Sequence, residues 1–364
     1  MDRPRMVFHV PFKLGYAISG GGIRPGKLIQ AFQDLGYDVD VVSGPKAERE
    51  KAMRAVAERV ERGERYALCY AESSVLPTML TEKNQKPFYP FVDFDFFRFL
   101  KERGVPLGLF YRDIYWRFPF HMRSLPLLTR VRRAFFHRLD FRYYGRLLDR
   151  LFLPSMKLAY LLPGRLRRIC QECPPGHDVE GPVERPAPAR PEDLSILYVG
   201  GVSTPVYDIS PLMRLGARFP VTICCRVEEW RQYAPHYADL AANVRVVHLS
   251  GEDLRRAYAG HSLSAILRVD HEYLSFAAPL KLYEAVGQNI PLLVSRGSAA
   301  AEFVERNGIG WCVDNSFADL DADALVREYP DKVGSLLAMK GAHHWRERAR
   351  FIRDALLGGD GSRA

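Results

Sequence analysis

No stretch of this 364-residue chain approaches the roughly 18 to 20 uninterrupted apolar residues that a bilayer-spanning helix needs, because Arg or Lys recurs throughout its most hydrophobic regions. The chain is therefore not read as transmembrane. The opening run Met6-Val7-Phe8-His9-Val10 is too short for the apolar core of a secretion signal and is followed by no small-residue cleavage site, so it reads as a first β-strand. Cysteine is sparse: of six, only Cys170 and Cys173 form a CxxC pair, and neither a second pair nor histidines at ligand spacing follow. That excludes a zinc-ribbon pattern and a disulfide framework, and points to reduced thiols in a cytosolic protein with no metal site. Residue-level repeats and low-complexity tracts are also missing, which excludes a solenoid.

What is present suits two packed cores. Hydrophobic residues make up 47% and aromatic residues 12% of the chain, and its length exceeds what one ordinary core holds. An apolar run at residues 7–10 leads into Ser19-Gly20-Gly21-Gly22, then helical spacing over 27–35 and strand character over 38–43. Residues 67–70 and 106–111 read as further buried strands, with helices over 51–64 and 94–103, and residues 146–154 as a helix leading into a strand at 151–155. Such alternation predicts a parallel sheet covered on both faces. Residues 172–191 then interleave proline, glycine and charge, a composition that continues neither helix nor sheet. A second alternating series begins at 195–201 and returns at 220–225, 244–249, 264–269 and 291–295. The expectation is an α/β chain of two Rossmann-like domains facing each other across a cleft. They would span residues 1–170 and 194–340, joined by a linker at 171–193, with a C-terminal helix over 341–364 able to cross back to the first domain.

The most informative segment is Phe276-Ala277-Ala278-Pro279-Leu280-Lys281-Leu282-Tyr283-Glu284-Ala285-Val286-Gly287, followed by Pro291-Leu292-Leu293-Val294. It resembles the donor-binding segment of B-type glycosyltransferases, in which Pro-x-Lys-x-x-Glu opens a helix, a glycine ends it, and a proline with aliphatic residues forms the next strand. The resemblance implies a nucleotide-sugar donor whose diphosphate is held by the helix start and Lys281 and whose ribose is held by Glu284. The physics agrees, since first-turn N–H groups and a nearby cation suit phosphate. A helix–strand unit with a solvated Lys and Glu is the plainer alternative. One departure stands out: many retaining members carry another Glu eight residues before the ribose-binding one, and Phe276 occupies that position here, with Asp270 and Glu272 at other spacings. Retention or inversion is left open.

Three further pieces extend the resemblance over the C-terminal half. Gly200 and Gly201 follow the strand Leu197-Tyr198-Val199, where donor phosphates would need close backbone approach. Arg226 follows Val221-Thr222-Ile223-Cys224-Cys225, a place where related enzymes put a phosphate-facing group, although a surface arginine also fits. Residues His343-His344-Trp345-Arg346 resemble the start of the family's C-terminal helix.

In the N-terminal half, Gly21-Gly22-Ile23-Arg24-Pro25-Gly26-Lys27-Leu28 nearly satisfies the phosphate-loop pattern GxxxxGK[ST]. Leu28 replaces the magnesium-binding hydroxyl and Pro25 removes a loop N–H, which argues against an ATPase or GTPase. In the family a Gly-rich loop at this place faces the cleft, so Gly20, Gly21, Gly22 and Arg24 are candidates to approach donor or acceptor, with a structural turn as the alternative. For a catalytic base, Asp113 follows an inferred strand at the edge where open α/β sheets place active sites. Glu72 is a second candidate, and a helix-capping role for Asp113 is the alternative.

Residues 112–168 interleave Arg with Phe, Leu, Tyr and Trp, as in Arg130-Val131-Arg132-Arg133-Ala134-Phe135-Phe136-His137-Arg138. A basic, aromatic helix of this kind suits an anionic membrane surface, or else packs its aromatic face in the core. No nucleic-acid motif accompanies it. The sequence thus predicts a cytoplasmic, peripherally membrane-bound transferase moving sugar from a UDP-, GDP- or dTDP-sugar to a saccharide or lipid-linked saccharide acceptor without a metal. A sugar-nucleotide epimerase of the same architecture and a catalytically degenerate scaffold are the rival readings.

Overall fold

The computed structural model describes residues 3–15, 20–82, 90–181, 183–237 and 240–358. The chain divides into two compact units, residues 1–175 with 345–364 and residues 176–344.

The first unit is built on six parallel strands, β1 (Arg5–His9), β2 (Asp38–Val42), β3 (Tyr66–Glu72), β4 (Leu107–Phe110), β5 (Arg150–Leu153) and β6 (Cys170–Glu172), in the order β2-β1-β3-β4-β5-β6. Strands β3 and β4 are buried at all but one of their residues, as a parallel sheet covered on both faces requires. At the edge, β2 carries Asp38 and Asp40, which pair with Arg5 and Arg59. Charge there discourages pairing with another chain. Strand β6 escapes sequence reading because Cys-Gln-Glu has no branched apolar residue and is exposed on one side.

The glycines after β1 do not form a loop. Gly20, Gly21 and Gly22 are the first turn of a helix, Gly20–Asp34, which begins well before the expected residue 27 and contains Pro25. Ser19 lies outside the described residues. Arg24 explains why this turn is fixed: its Nε donates to Glu72 Oε1 (3.0 Å), one terminal nitrogen reaches Tyr70 Oη (3.3 Å), and its guanidinium carbon lies 3.7 Å from the centre of the Phe110 ring. Arg24 is 3% exposed, so the expectation that it approaches a ligand is overturned. Glu72 is equally buried; burial pushes its carboxyl above the usual range even with Arg24 and Arg112 nearby. Its service as an exposed base is excluded by the same closure. The C-terminal helix Trp345–Leu357 belongs to this unit and packs on helix Gly20–Asp34.

The second unit repeats the plan with β7 (Ile196–Val199), β8 (Val221–Cys224), β9 (Val244–Val247), β10 (Leu263–Ile266), β11 (Leu292–Ser295) and β12 (Gly310–Val313), all parallel, in the order β12-β11-β10-β7-β8-β9. Every residue of β7, β8, β10 and β11 is buried, and each fully buried Val, Leu or Ile contributes about 1.5–3 kcal/mol. The segment from His177 onward is fastened to this unit. Arg185 donates to the carbonyls of His261 (2.6 Å), Tyr258 (3.0 Å) and Gln288 (3.0 Å), and Asn289 Nδ2 donates to Val183 O (2.8 Å).

Candidate functional site

In the second sheet the chain runs outward through β7, β8 and β9 on one side, then returns beside β7 to run outward through β10, β11 and β12. The connections leaving β7 and β10 therefore diverge, and the carboxyl ends of these two strands form the switch point where open α/β sheets bind ligands. A cavity of about 340 Å³ opens at the ends of β10 and β11, lined among others by Arg268, His271, Pro279, Arg296 and Ser298.

Arg268 is the residue that sequence reasoning missed. Its backbone is pinned, with its N–H donating to Ser295 Oγ (3.1 Å) and its carbonyl accepting from Asn315 Nδ2 (2.8 Å). Its guanidinium carbon lies 4.8 Å from the centre of the Tyr207 ring, and its Nε is buried with no hydrogen-bond partner. Among the described residues it forms no ion pair, whereas Arg226, Lys281 and Arg296 each have a carboxylate. The available signal was a lone arginine directly after the apolar run Ala265-Ile266-Leu267. A half-buried guanidinium with one nitrogen closed to solvent and no counter-charge is costly unless a ligand supplies the partner.

The expected donor segment folds as a helix, Leu280–Gly287, followed by β11. Pro279 occupies the N-cap and provides no side-chain cap, which leaves first-turn N–H groups at the cavity rim. Lys281 Nζ contacts both oxygens of Glu284 (2.9 and 2.7 Å), and Tyr258 Oη donates to Glu284 Oε2 (3.2 Å). Both charges are felt by the Cys224 thiol at the end of β8, although burial is the main reason that thiol is raised. Lys281 and Glu284 thus neutralise each other in the free protein. Gly287 ends the helix for a reason other than a left-handed backbone, which falls instead to Asn289 (φ 51°). A Cβ on Gly287 would lie 2.6 Å from the ring of His177.

Gly200 and Gly201 are required by close neighbours in the protein itself. A Cβ would lie 2.8 Å from Tyr198 Oη at Gly200 and 2.9 Å from Glu229 Oε1 at Gly201. The turn they open is held by Glu229 Oε1, which accepts from the N–H groups of Val202 (3.0 Å) and Ser203 (3.2 Å). Arg226 grips the other oxygen of Glu229 through Nε (3.0 Å) and a terminal nitrogen (2.7 Å), with its side chain 51% exposed. Gly200, Gly201 and Arg226 therefore sit together at the ends of β7 and β8.

In the first unit, Asp113 follows β4, is half-buried, and accepts from the N–H of Ile114 (2.6 Å). Gly21 and Gly22 lie in the helical first turn described above. Sequence reasoning also missed a buried triad in which Asp93 accepts from Arg49 (2.9 and 3.1 Å) and contacts His9 Nε2 (2.8 Å). Burial works against the Asp93 charge, but these partners hold its carboxyl below the usual range. With all three side chains closed to solvent, the triad is part of the core.

Residues 112–168 carry fourteen Arg or Lys against three Asp, a net charge of +11 in a chain of +9. The rest of the molecule is thus slightly acidic. Their long helix, Leu127–Leu147, divides between both expected roles: His137, Asp140, Phe141, Tyr144 and Leu147 are buried, whereas Leu127, Leu128, Val131 and Phe135 are exposed. No helix among the described residues is long and apolar enough to cross a membrane, and no group of three or more His, Cys, Asp or Glu among them is placed to hold a metal ion.

No protein-family model matches the sequence, and no curated protein matches it. Solved structures do. Anabaena HepE in complex with UDP is 11% identical, with 97% of this chain and 100% of that one covered at a TM-score of 0.63; the same protein is also solved with UDP-glucose. The lipopolysaccharide outer core galactosyltransferase WaaB is 11% identical over 97% and 99% of the two chains, with a TM-score of 0.58. A UDP-forming α,α-trehalose-phosphate synthase from Burkholderia vietnamiensis is 11% identical over 96% and 99%, with a TM-score of 0.56. These likenesses, spread over nearly the whole of each chain, show that this chain has the two-domain α/β fold of the B-type glycosyltransferases.

Proposed function

We propose that the protein is a glycosyltransferase that binds a nucleotide-sugar at the switch point of its second sheet and transfers the sugar to a saccharide acceptor at a membrane surface. The observation that carries this reading is Arg268, a half-buried cation whose Nε is closed to solvent without a hydrogen-bond partner and which has no carboxylate among the described residues, on the wall of a cavity that the uncapped helix Leu280–Gly287 also borders. A diphosphate supplies the missing counter-charge and accepts from both. Lys281 and Arg226 add cationic charge once the ligand competes with Glu284 and Glu229 for them, and Glu284, released from Lys281, accepts from the ribose hydroxyls. The Gly200–Ser203 turn lets phosphate oxygens approach the backbone. As the sugar departs, these cations and N–H groups offset the charge growing on the nucleotide diphosphate, so the scheme requires no divalent ion and EDTA leaves turnover unchanged.

On the acceptor side, Asp113 is proposed as the base that takes the hydroxyl proton, with Gly21 and Gly22 letting a ligand approach the first helical turn. The localised charge of residues 112–168 and the exposed Leu127, Leu128, Val131 and Phe135 beside it support an anionic membrane surface and hence a lipid-linked acceptor on the cytoplasmic face.

The test is calorimetric titration with UDP-, GDP- and dTDP-sugars. One nucleotide class should bind, and Glu284→Ala should weaken it about tenfold or more, the effect of losing a charge-assisted acceptor. Because the Lys281–Glu284 pair is partly exposed, the same substitution should change stability by less than about 1 kcal/mol. If the folded wild type binds none of the donors, the transferase reading fails; binding with no turnover on any acceptor favours the scaffold reading, in which the buried Phe276 replaces a catalytic carboxylate.

A further inference from the structure

The first unit has a second cavity, of about 650 Å³, walled by the connections that leave β4 and β5 and by helix Leu127–Leu147. Its lining includes Trp116, Arg117, Arg138, Phe141, Tyr160 and Arg167, with no acidic residue. Arg117 donates to Leu161 O, and Arg167 donates to Leu162 O (3.0 Å) and Tyr160 O (3.2 Å), so two of the guanidinium groups are oriented by the carbonyls of one turn. The Arg138 guanidinium carbon lies 5.4 Å from the centre of the Trp116 ring. None of the three arginines forms an ion pair among the described residues, although each retains N–H groups beyond the bonds named.

At about 3.6 residues per turn, Leu127, Val131, Ala134, Arg138 and Phe141 fall on one stripe of the helix. The stripe joins the cavity to the exposed apolar end: Leu127 is 69% exposed, Leu128 81% and Phe135 58%, while Tyr160 at the cavity rim is 75% exposed. Apolar side chains that would enter a monolayer thus continue into a cationic, aromatic pocket that would lie at head-group depth. The planar fork of an arginine matches phosphate oxygens in pairs, and three such forks line this one pocket.

We propose that this pocket holds the phosphate head group of an anionic phospholipid, giving the protein a head-group site in addition to a general attraction to negative surfaces. The proposal rests on the membrane-surface part of the reading above and is independent of the donor site.

The test uses the full chain and two kinds of phosphatidylcholine vesicle matched in surface charge, one containing phosphatidylglycerol and one containing oleate. Wild type should bind the phosphatidylglycerol vesicles about tenfold more tightly, as expected for charge-assisted hydrogen bonds to phosphate. Arg138→Ala, and Arg167→Lys, which keeps charge but loses the fork, should reduce that ratio to within about twofold. Arg130→Ala, outside the pocket lining, should weaken binding to both vesicles and keep the ratio, with all variants checked for wild-type thermal unfolding. Equal binding of wild type to the two vesicles overturns the head-group site and leaves the membrane-surface reading standing, while binding to neither overturns both. Displacement of the Arg138 contact by inorganic pyrophosphate without loss of vesicle affinity would assign the pocket to a soluble phosphate compound and overturn the proposal as well.

Discussion

Replacing Arg268 by methionine separates a ligand-binding role from a structural one, because the two make opposite predictions for the free protein. If the guanidinium is part of the frame, its loss should unfold the second unit; removing one member of a buried charge pair costs about 3–5 kcal/mol. The structure gives it no such pair: its side chain stacks on Tyr207 and bonds the Tyr198 hydroxyl, and its backbone bonds are ones that methionine keeps. Losing the stack and the Tyr198 bond costs about 2–3 kcal/mol, and relieving the unpartnered, buried Nε returns about 1–3 kcal/mol. Urea unfolding of the free Arg268→Met protein should therefore lie within about 1 kcal/mol of wild type. Donor binding should not be spared. One or two charge-assisted hydrogen bonds to a diphosphate are worth about 2–4 kcal/mol together, or roughly 30- to 800-fold in Kd. Calorimetry with the nucleotide diphosphate alone isolates this effect from any contact to the sugar. An unchanged Kd, or destabilisation of the free protein beyond about 3 kcal/mol, would refute the reasoning.

Gly287→Ala should lower stability by about 1–3 kcal/mol through overpacking, because its methyl would lie 2.6 Å from a His177 ring that is itself anchored to Lys340 O (2.9 Å). Thermal unfolding should show a drop in Tm of roughly 3–10 °C, and His177→Ala in the same chain should recover part of it; no drop would mean that the ring is free to move. His177 also predicts a pH dependence. Burial pushes its imidazole down to about 4, against an ordinary value near 6.5, so between those values the unfolded chain binds a proton that the folded chain refuses. Stability from this group is complete above about pH 6.5 and is lost as pH falls toward 4, by up to about 3 kcal/mol. Denaturant midpoints for wild type and His177→Gln from pH 7 to 4.5 should converge as pH falls, and parallel curves would remove the histidine from the account.

The alternation of strands and helices, the parallel sheets and the Pro279–Glu284 helix were legible in the sequence because burial on both faces demands continuous Val, Ile and Leu, and those runs are present. Strands β6 and β12 were not legible, since Cys-Gln-Glu and Gly-Trp-Cys-Val pair only because a neighbouring strand is already in place. The glycines after β1 read as a loop on composition alone, yet they are helical where Arg24 reaches Glu72, a contact across 48 positions that no local pattern encodes. The candidate donor residues Lys281 and Glu284 came from the resemblance of Pro279-Leu280-Lys281-Leu282-Tyr283-Glu284 to the Pro-x-Lys-x-x-Glu segment of B-type glycosyltransferases, in a helix that places positions three apart on one face. Arg268 could not be found this way, because an arginine becomes unusual only when the fold around it supplies no carboxylate. By itself the sequence determined which segments would be buried and which chemistry was available. The tertiary structure decided which charges neutralise one another and which are left for a ligand, since Coulombic pairing depends on distances of a few ångströms between residues far apart in the chain.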